Sequence, residues 1–194
     1  MTHPIEIESY RILHARVDLS AWPDGDRDVV ARIIHAAADV SFADTCIIGA
    51  DAVARLEEAL AAGAPVIVDA TMVAAGITRH PTVCLLDDVP TAPDGMTRSA
   101  AAIAMAARRW PEGAVFVIGN APTALSELLR LHEAGVVDPA AVVGLPVGFV
   151  GAAEAKGALA AHRLAPRSIT NQGERGGSPA AAAAVNAVLR RLGR

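Results

Sequence analysis

"AVFVIGNAPTAL", residues 114–125, decides how the chain is read. An unbroken apolar run, Ala114 to Ile118, meets Gly119 and Asn120, and Pro122 follows where a helix would begin. A strand with no polar alternation is buried on both faces, and proline at the first helical position announces the element that covers it. The same unit recurs in both directions along the chain. "PVIVD" (65–69), "TVCLL" (82–86), "AAVVGL" (140–145) and "RSITN" (167–171) are further candidate strands. Helical periodicity occupies 70–76, 97–110, 122–134, 152–162 and 178–192.

Five strands with a helix after each predict an α/β fold: three layers, α/β/α, around a five-stranded parallel sheet, with a flavodoxin-like order as the simplest arrangement. "TVCLL", straight after Pro81, is the strand whose register is hardest to place. The N-terminal region reads instead as helical. Ile5, Tyr10, Ile12, Leu13 and Val17 suggest a weak first helix, Pro23 and Asp24 open a second that runs to about Asp39, and "DAVARLEEALAAG" forms a third that stops at Gly63.

Composition sets the outer limits. The 194 residues show no internal repeat, low-complexity tail or linker, so one domain over 1–194 is expected. Hydrophobic residues make up 53% and aromatics only 3%, which suits alanine-rich helices packed closely on a sheet. Seventeen basic and 21 acidic residues give a net charge of −4 with no long run of either sign. That balance argues against a nucleic-acid binder or a polybasic membrane anchor. The first eighteen residues carry charges throughout and hold no apolar signal-peptide core. The longest apolar stretch, 139–153, is broken by Gly144, Pro146, Gly148 and Gly151 and is too short to span a bilayer. A cytoplasmic protein is the expectation. Cys46 and Cys84 lie far apart, which indicates neither a disulfide framework nor a zinc site. Lys156 is the only lysine. Drift toward arginine codons accounts for the bias, but ammonium and guanidinium are not interchangeable at a ligand site.

No GxGxxG follows a strand, and neither GxxxxGK[ST] nor GxSxG occurs. With the low aromatic content, this counts against a flavin or nucleotide module. The six histidines, at 3, 14, 35, 80, 132 and 162, make no metal-ligand spacing. In doubly wound folds ligands sit beyond the carboxyl ends of the strands, facing helix N-termini. Those junctions read "DATMVAAG", "GNAPTAL", "LPVGFVGAAEAKG" and "NQGERGGSP". Asn120 can turn or cap, and Thr123 offers a hydroxyl beside free amides. A capped junction and an anion site are equally compatible with that stretch. Gly148 and Gly151 let a ligand approach the backbone, and Glu154 reads as a solvated helix start. Gly176 and Gly177 precede Ser178 and Pro179 and would aim several amides at the sheet crest. Thr97 or Ser99 caps the helix that Arg98 enters, where a carboxylate-binding arginine would be useful. A crest lined with amides, hydroxyls and a few cations suits a polyanion. His35 lies within the apolar stripe of "VVARIIHAAADVSF", flanked on the helix surface by Ala31 and Ala38. By periodicity alone it is either a core histidine or an acid–base group with room cleared for a substrate.

"ESYRI", "IIHAAADVSFAD", "DATMVAAGITR", "TRSAAA", "GNAPTAL", "GLPVGFVGAAEAK" and "GGSPAAAAAVNAV" occur in this order from about Glu8 to Leu192. In these strings the chain resembles the precorrin-8X methylmutase family. The resemblance implies a flavodoxin-like homodimer that needs no cofactor and acts on a tetrapyrrole with many carboxylate arms. It implies transfer of the methyl group on carbon eleven of the macrocycle to carbon twelve, giving hydrogenobyrinic acid or its cobalt counterpart in cobalamin biosynthesis. The family's catalytic histidine carries over to His35; an unperturbed histidine, with a pKa near 6.5, can give and recover a proton near neutrality. As substrate-binding residues the resemblance implies Ser9 and Arg11 in "ESYRI", Thr78 beside Arg79 in "GITR", Arg98 in "TRSAAA", Asn120, Lys156, Gly176 and Gly177. Tyr10 stands where phenylalanine is usual, "HPTVCLLDD" is shorter than in many members, and Glu174 dilutes a segment that is often basic. His14 falls at a polar position and reads as surface. A corrinoid carrier without chemistry is the alternative, distinguished by tight binding without turnover.

Overall fold

The computed structural model describes residues 3–193. Four short strands run parallel: β2 (Val66–Val68), β3 (Val115–Ile118), β4 (Ala141–Gly144) and β5 (Ser168–Asn171). A fifth, β1 (Cys46–Ile48), pairs antiparallel with β5, giving the order β1-β5-β4-β3-β2. The sheet is therefore mixed, which corrects the parallel sheet expected from sequence. The fifth strand comes from "CII", a run too short to register as a strand. "TVCLL" supplies only a bridge, in which Val83 donates to the Val66 carbonyl (2.8 Å) and accepts from Val68 N–H (2.9 Å). Pro81 has no N–H to extend that pairing, and Leu85 turns inward to pack with a helical layer.

Alternation along the strands divides the interior. Val66, Val68, Val115, Val117, Val143 and Ile169 face one cluster, shared with α2 (Asp24–Ala37), α4 (Ala52–Ala61), α5 (Thr71–Gly76) and α9 (Ser178–Arg191). Ile67, Phe116, Ile118 and Val142 face the other, shared with α6 (Arg98–Arg109), α7 (Pro122–Glu133) and α8 (Ala152–Ala160). Helices thus cover both faces of the sheet. Alanines on α9 from Ala180 to Ala184 are all buried, so this helix lies close against its neighbours without side-chain bulk.

Local chemistry sets the helix ends. Thr97 Oγ1 accepts from Ala100 N–H (3.2 Å) and caps α6. Ala38, with φ 52°, ends α2 in the left-handed region, the one non-glycine residue among those described to do so. α1 (Pro4–Arg16) begins with proline and with the His3 ring accepting from Ile5 N–H (3.2 Å). It buries only Leu13, and Ile5, Ile7 and Ile12 stay exposed. α3 (Phe42–Thr45) is a single turn that drops Phe42 into the core before β1. Among the described residues, no helix is long and apolar enough to cross a membrane.

Candidate active site

α2 and α9 pack antiparallel. At one end Arg191 donates to Asp28 (2.9 Å), and at the other Arg175 pairs with Asp39 and donates to Ser41 Oγ (2.9 Å). The last turn of α2, carrying His35, therefore reaches the level at which α9 begins, beyond the carboxyl ends of the parallel strands. His35 is half-buried there.

Two residues of α1 fix its ring. Ser9 Oγ lies 2.9 Å from Nδ1, and Tyr10 stacks on the imidazole at 4.9 Å with the planes 5° apart. With Nδ1 engaged, Nε2 is the nitrogen left to exchange a proton with a bound molecule. Behind the rings, Arg32 donates to Glu6 Oε1 (2.6 Å) and to the Tyr10 hydroxyl (3.3 Å), and Arg190 donates to the same Glu6 oxygen (2.6 Å). A cleft of about 380 Å³ opens along this side, with Tyr10, His14, Arg32 and Arg190 in its walls. Burial pushes the His35 pKa below the ordinary histidine value; Arg32 and Arg190 push the same way, and Glu6 opposes them.

The β3–α7 turn differs from its sequence reading. Its amides, open to a ligand by the sequence of "GNAPTAL", are occupied by the protein's own carboxylate. Asp69, buried at the end of β2, accepts from the N–H groups of Gly119 (2.9 Å), Asn120 (2.9 Å) and Ala121 (2.6 Å). Burial raises the Asp69 pKa, while those three amides hold it down. The Asn120 side chain is exposed at the crest. Thr123 Oγ1 meets Thr97 Oγ1 at 2.7 Å and ties the starts of α7 and α6 together.

Gly176 and Gly177 lead into α9. Gly177 has φ 112° and donates to the Leu145 carbonyl (2.8 Å). A β-carbon on Gly176 would fall against the Leu145 and Pro146 carbonyl oxygens, the latter at 2.6 Å. Next to this junction the β4–α8 loop raises an apolar tip. Phe149 is 91% exposed and Val150 88%, between Gly148 and Gly151. Gly148 N–H donates to the Glu174 carbonyl (3.1 Å), which joins the two loops.

The other candidates are more dispersed. Arg11 is exposed and grips Glu8 through two hydrogen bonds of 2.8 and 2.7 Å. Thr78 is exposed in the segment after α5, where Gly76 lies against Ala182 of α9 and its carbonyl accepts from Asn186 (2.7 Å). Arg98 stands at the start of α6, but its guanidinium donates to the Val89 (2.7 Å) and Leu86 (2.8 Å) carbonyls and holds the 86–89 loop. Lys156 departs most from expectation. It is 0% exposed, below the crest rather than on it, so in this conformation no substrate arm reaches its ammonium.

Asp69, Tyr10 and Arg175 are the groups that sequence reasoning missed. Asp69 closes an apolar strand, the one signal that marked it. Tyr10 lies inside "ESYRI", and Arg175 inside "NQGERGGSP". Among the described residues, no three His, Cys, Asp or Glu side chains gather as metal ligands.

Known proteins resemble this chain along nearly its whole length. The sequence model of the precorrin-8X methylmutase family matches residues 4–191. A precorrin-8X methylmutase of Sinorhizobium sp. is 41% identical over 94% of this chain and 91% of its own. A cobalt-precorrin-8 methylmutase of Synechocystis sp. is 36% identical, with 97% of this chain and 95% of that one covered. The crystal structure of a precorrin-8X methylmutase from Thermus thermophilus superposes with a TM-score of 0.85 at 34% identity, covering 96% and 94% of the two chains. The chain belongs to the precorrin-8X methylmutase family.

Proposed function

We propose that this chain is an isomerase that moves the methyl group on carbon eleven of precorrin-8X, or of cobalt-precorrin-8, to carbon twelve, giving hydrogenobyrinic or cobyrinic acid in cobalamin biosynthesis. The observation that carries the reading is His35, oriented by Ser9 and Tyr10 at the rim of the sheet crest. Protonated His35 gives its Nε2 proton to a ring nitrogen, which polarises the conjugated system. The bond from carbon eleven to the methyl group breaks as the bond to carbon twelve forms, and the proton returns to His35. Atoms and electrons balance within the substrate, so the step needs no oxidant or reductant. Ser9, Arg11, Thr78, Arg98, Asn120, Gly176 and Gly177 are proposed to receive the macrocycle and its carboxylate arms. The apolar tip at Phe149 suits the flat ring.

The lowered pKa of His35 fits this role. An imidazolium that is disfavoured in the free protein is a stronger acid, and a substrate carboxylate brought beside Arg32 would act against that arginine's effect and favour the charged form. We also propose a homodimer, a cytoplasmic location and a single domain. A flavodoxin-like strand order is supported by Val83, which lies on the outer edge of β2, opposite β3.

Conversion of precorrin-8X by the purified protein, followed by absorbance, tests the reading beside His35→Ala. General acid catalysis contributes about 10²–10⁴-fold, so the variant should lose that much in kcat while still binding hydrogenobyrinic acid. If the unaltered protein binds both metal-free and cobalt-containing substrates tightly but turns over neither, it is a carrier and the isomerase reading fails.

A further inference from the structure

We infer that Lys156 is a positioning residue, a buried ammonium that fixes the segment from Asn171 to Gly177 and so places Arg175 and the start of α9 for substrate. The inference rests on the reading of the crest around His35 as the active site.

Lys156 lies in α8, on the face of the sheet opposite α2 and α9, and its Nζ crosses under the crest to the far end of β5. It donates to Asn171 Oδ1 at 3.1 Å and to the Arg175 carbonyl. Asn171, itself buried, donates through Nδ2 to the Gln172 (2.9 Å) and Arg175 (3.0 Å) carbonyls. The Arg175 carbonyl is therefore held twice from below, while its guanidinium reaches outward to Asp39 and Ser41, just past His35 on the chain. The ammonium thus ties α8 to the β5–α9 segment, and the Arg175 guanidinium in turn ties that segment to the turn after α2.

Both partners of the ammonium are neutral oxygens. A buried cation without a carboxylate costs stability, and an apolar side chain of similar length would relieve that cost. Packing therefore gives no reason for a lysine here. A compact point charge fits two oxygen acceptors, whereas a planar guanidinium carries five donors that need partners. This gives a reason for lysine at position 156 in a chain whose other sixteen basic residues are arginine.

Burial pushes the Lys156 pKa down to about 8. Cys46 of β1 is the titratable neighbour, and burial pushes its thiol up to about 12, so it stays neutral while Lys156 titrates. β5 and the segment beyond it present Asn171 and the Arg175 carbonyl, neither of which titrates.

Steady-state kinetics on precorrin-8X, with hydrogenobyrinic acid titrations, separate a positioning role from a merely structural one. Loss of a charge-assisted hydrogen bond corresponds to roughly tenfold in an equilibrium, so Lys156→Met should raise KM and product Kd about that much while kcat stays within about twofold. The unaltered enzyme should show KM rising as pH passes about 8, and Lys156→Met should lack that rise. The pH profile of the unaltered enzyme needs no variant and decides the matter even if Lys156→Met fails to fold. A flat KM across that range, or a variant whose KM matches the parent, overturns the inference. So does an activity loss that only follows a smaller folded fraction. If His35→Ala is inactive while Lys156→Met is normal, this inference alone falls; if His35→Ala is fully active, the reading of the site falls with it.

Discussion

Ser9 Oγ lies 2.9 Å from His35 Nδ1, although the two residues are 26 positions apart and sit on different helices. While His35 is neutral, the serine hydroxyl donates to Nδ1 and places the ring proton on Nε2. Once His35 is charged, Nδ1–H donates to the serine oxygen instead. The hydroxyl serves both states, which suits the proton-giving and proton-taking role proposed for His35.

Ser9→Ala should therefore lower kcat by about tenfold, the worth of one hydrogen bond to a charged group. Ser9→Thr should recover most of the loss. Equal kcat values for Ser9→Ala and the parent would remove Ser9 from the catalytic arrangement.

The pH dependence has a definite sign. The folded protein holds the His35 pKa below 6.5 through burial and Arg32, so kcat/KM should fall as pH rises through a value below that of ordinary histidine. Arg32→Gln removes a cation and leaves Glu6 to favour the imidazolium, so the descending limb should move to higher pH. A limb that stays put or moves down would show that Arg32 does not act on His35. The same shift affects stability, because the unfolded chain takes up this proton first. The contribution of neutral His35 is present above pH 6.5 and is lost as pH falls through that value toward the folded-state pKa. Urea midpoints on either side of that window would measure it, with His35→Ala as the reference.

Asp69 should matter for stability. Asp69→Asn turns an amide donor toward the N–H groups of Gly119, Asn120 and Ala121, leaving at least one buried donor unpaired at a cost of about 1–3 kcal/mol. A denaturant midpoint equal to that of the parent would mean that the turn holds its shape without the carboxylate.

Two glycines should respond in opposite directions. Gly176→Ala forces a β-carbon against backbone carbonyl oxygens that have no rotamer to yield, so about 1–3 kcal/mol of stability should be lost. Gly157→Ala, inside α8 with open space around it, should gain up to about 1 kcal/mol. Thermal melts of the pair share one baseline, and two shifts of the same sign would refute the comparison.

The covered strands were readable because burial on both faces leaves a run without polar alternation, as in "AVFVIG". The edges were not. "CII" is three residues at the rim, and Val83 is one bridging residue after a proline, so each depends on a partner strand that periodicity cannot see. The site divides in the same way. His35 could be singled out by a family motif that covers its neighbours on the helix. The positions of Lys156 and Arg98 depend on acceptors fifteen and twelve residues away, at Asn171 and Leu86, and no local spacing encodes those distances. For Asp69 the separation reaches 52 residues, which is why the amides of "GNAPTAL" read as vacant.

α1 buries only Leu13, yet it supplies both residues that orient His35. His35 itself stands on α2, whose Val29, Val30, Ile33 and Ile34 are buried in the core. The histidine and its orienting partners therefore have unequal mechanical footing, one on a buried helix and the other on a helix lightly anchored to the core. Local opening requires least free energy where least apolar surface is buried, so amide exchange should release α1 well before α2.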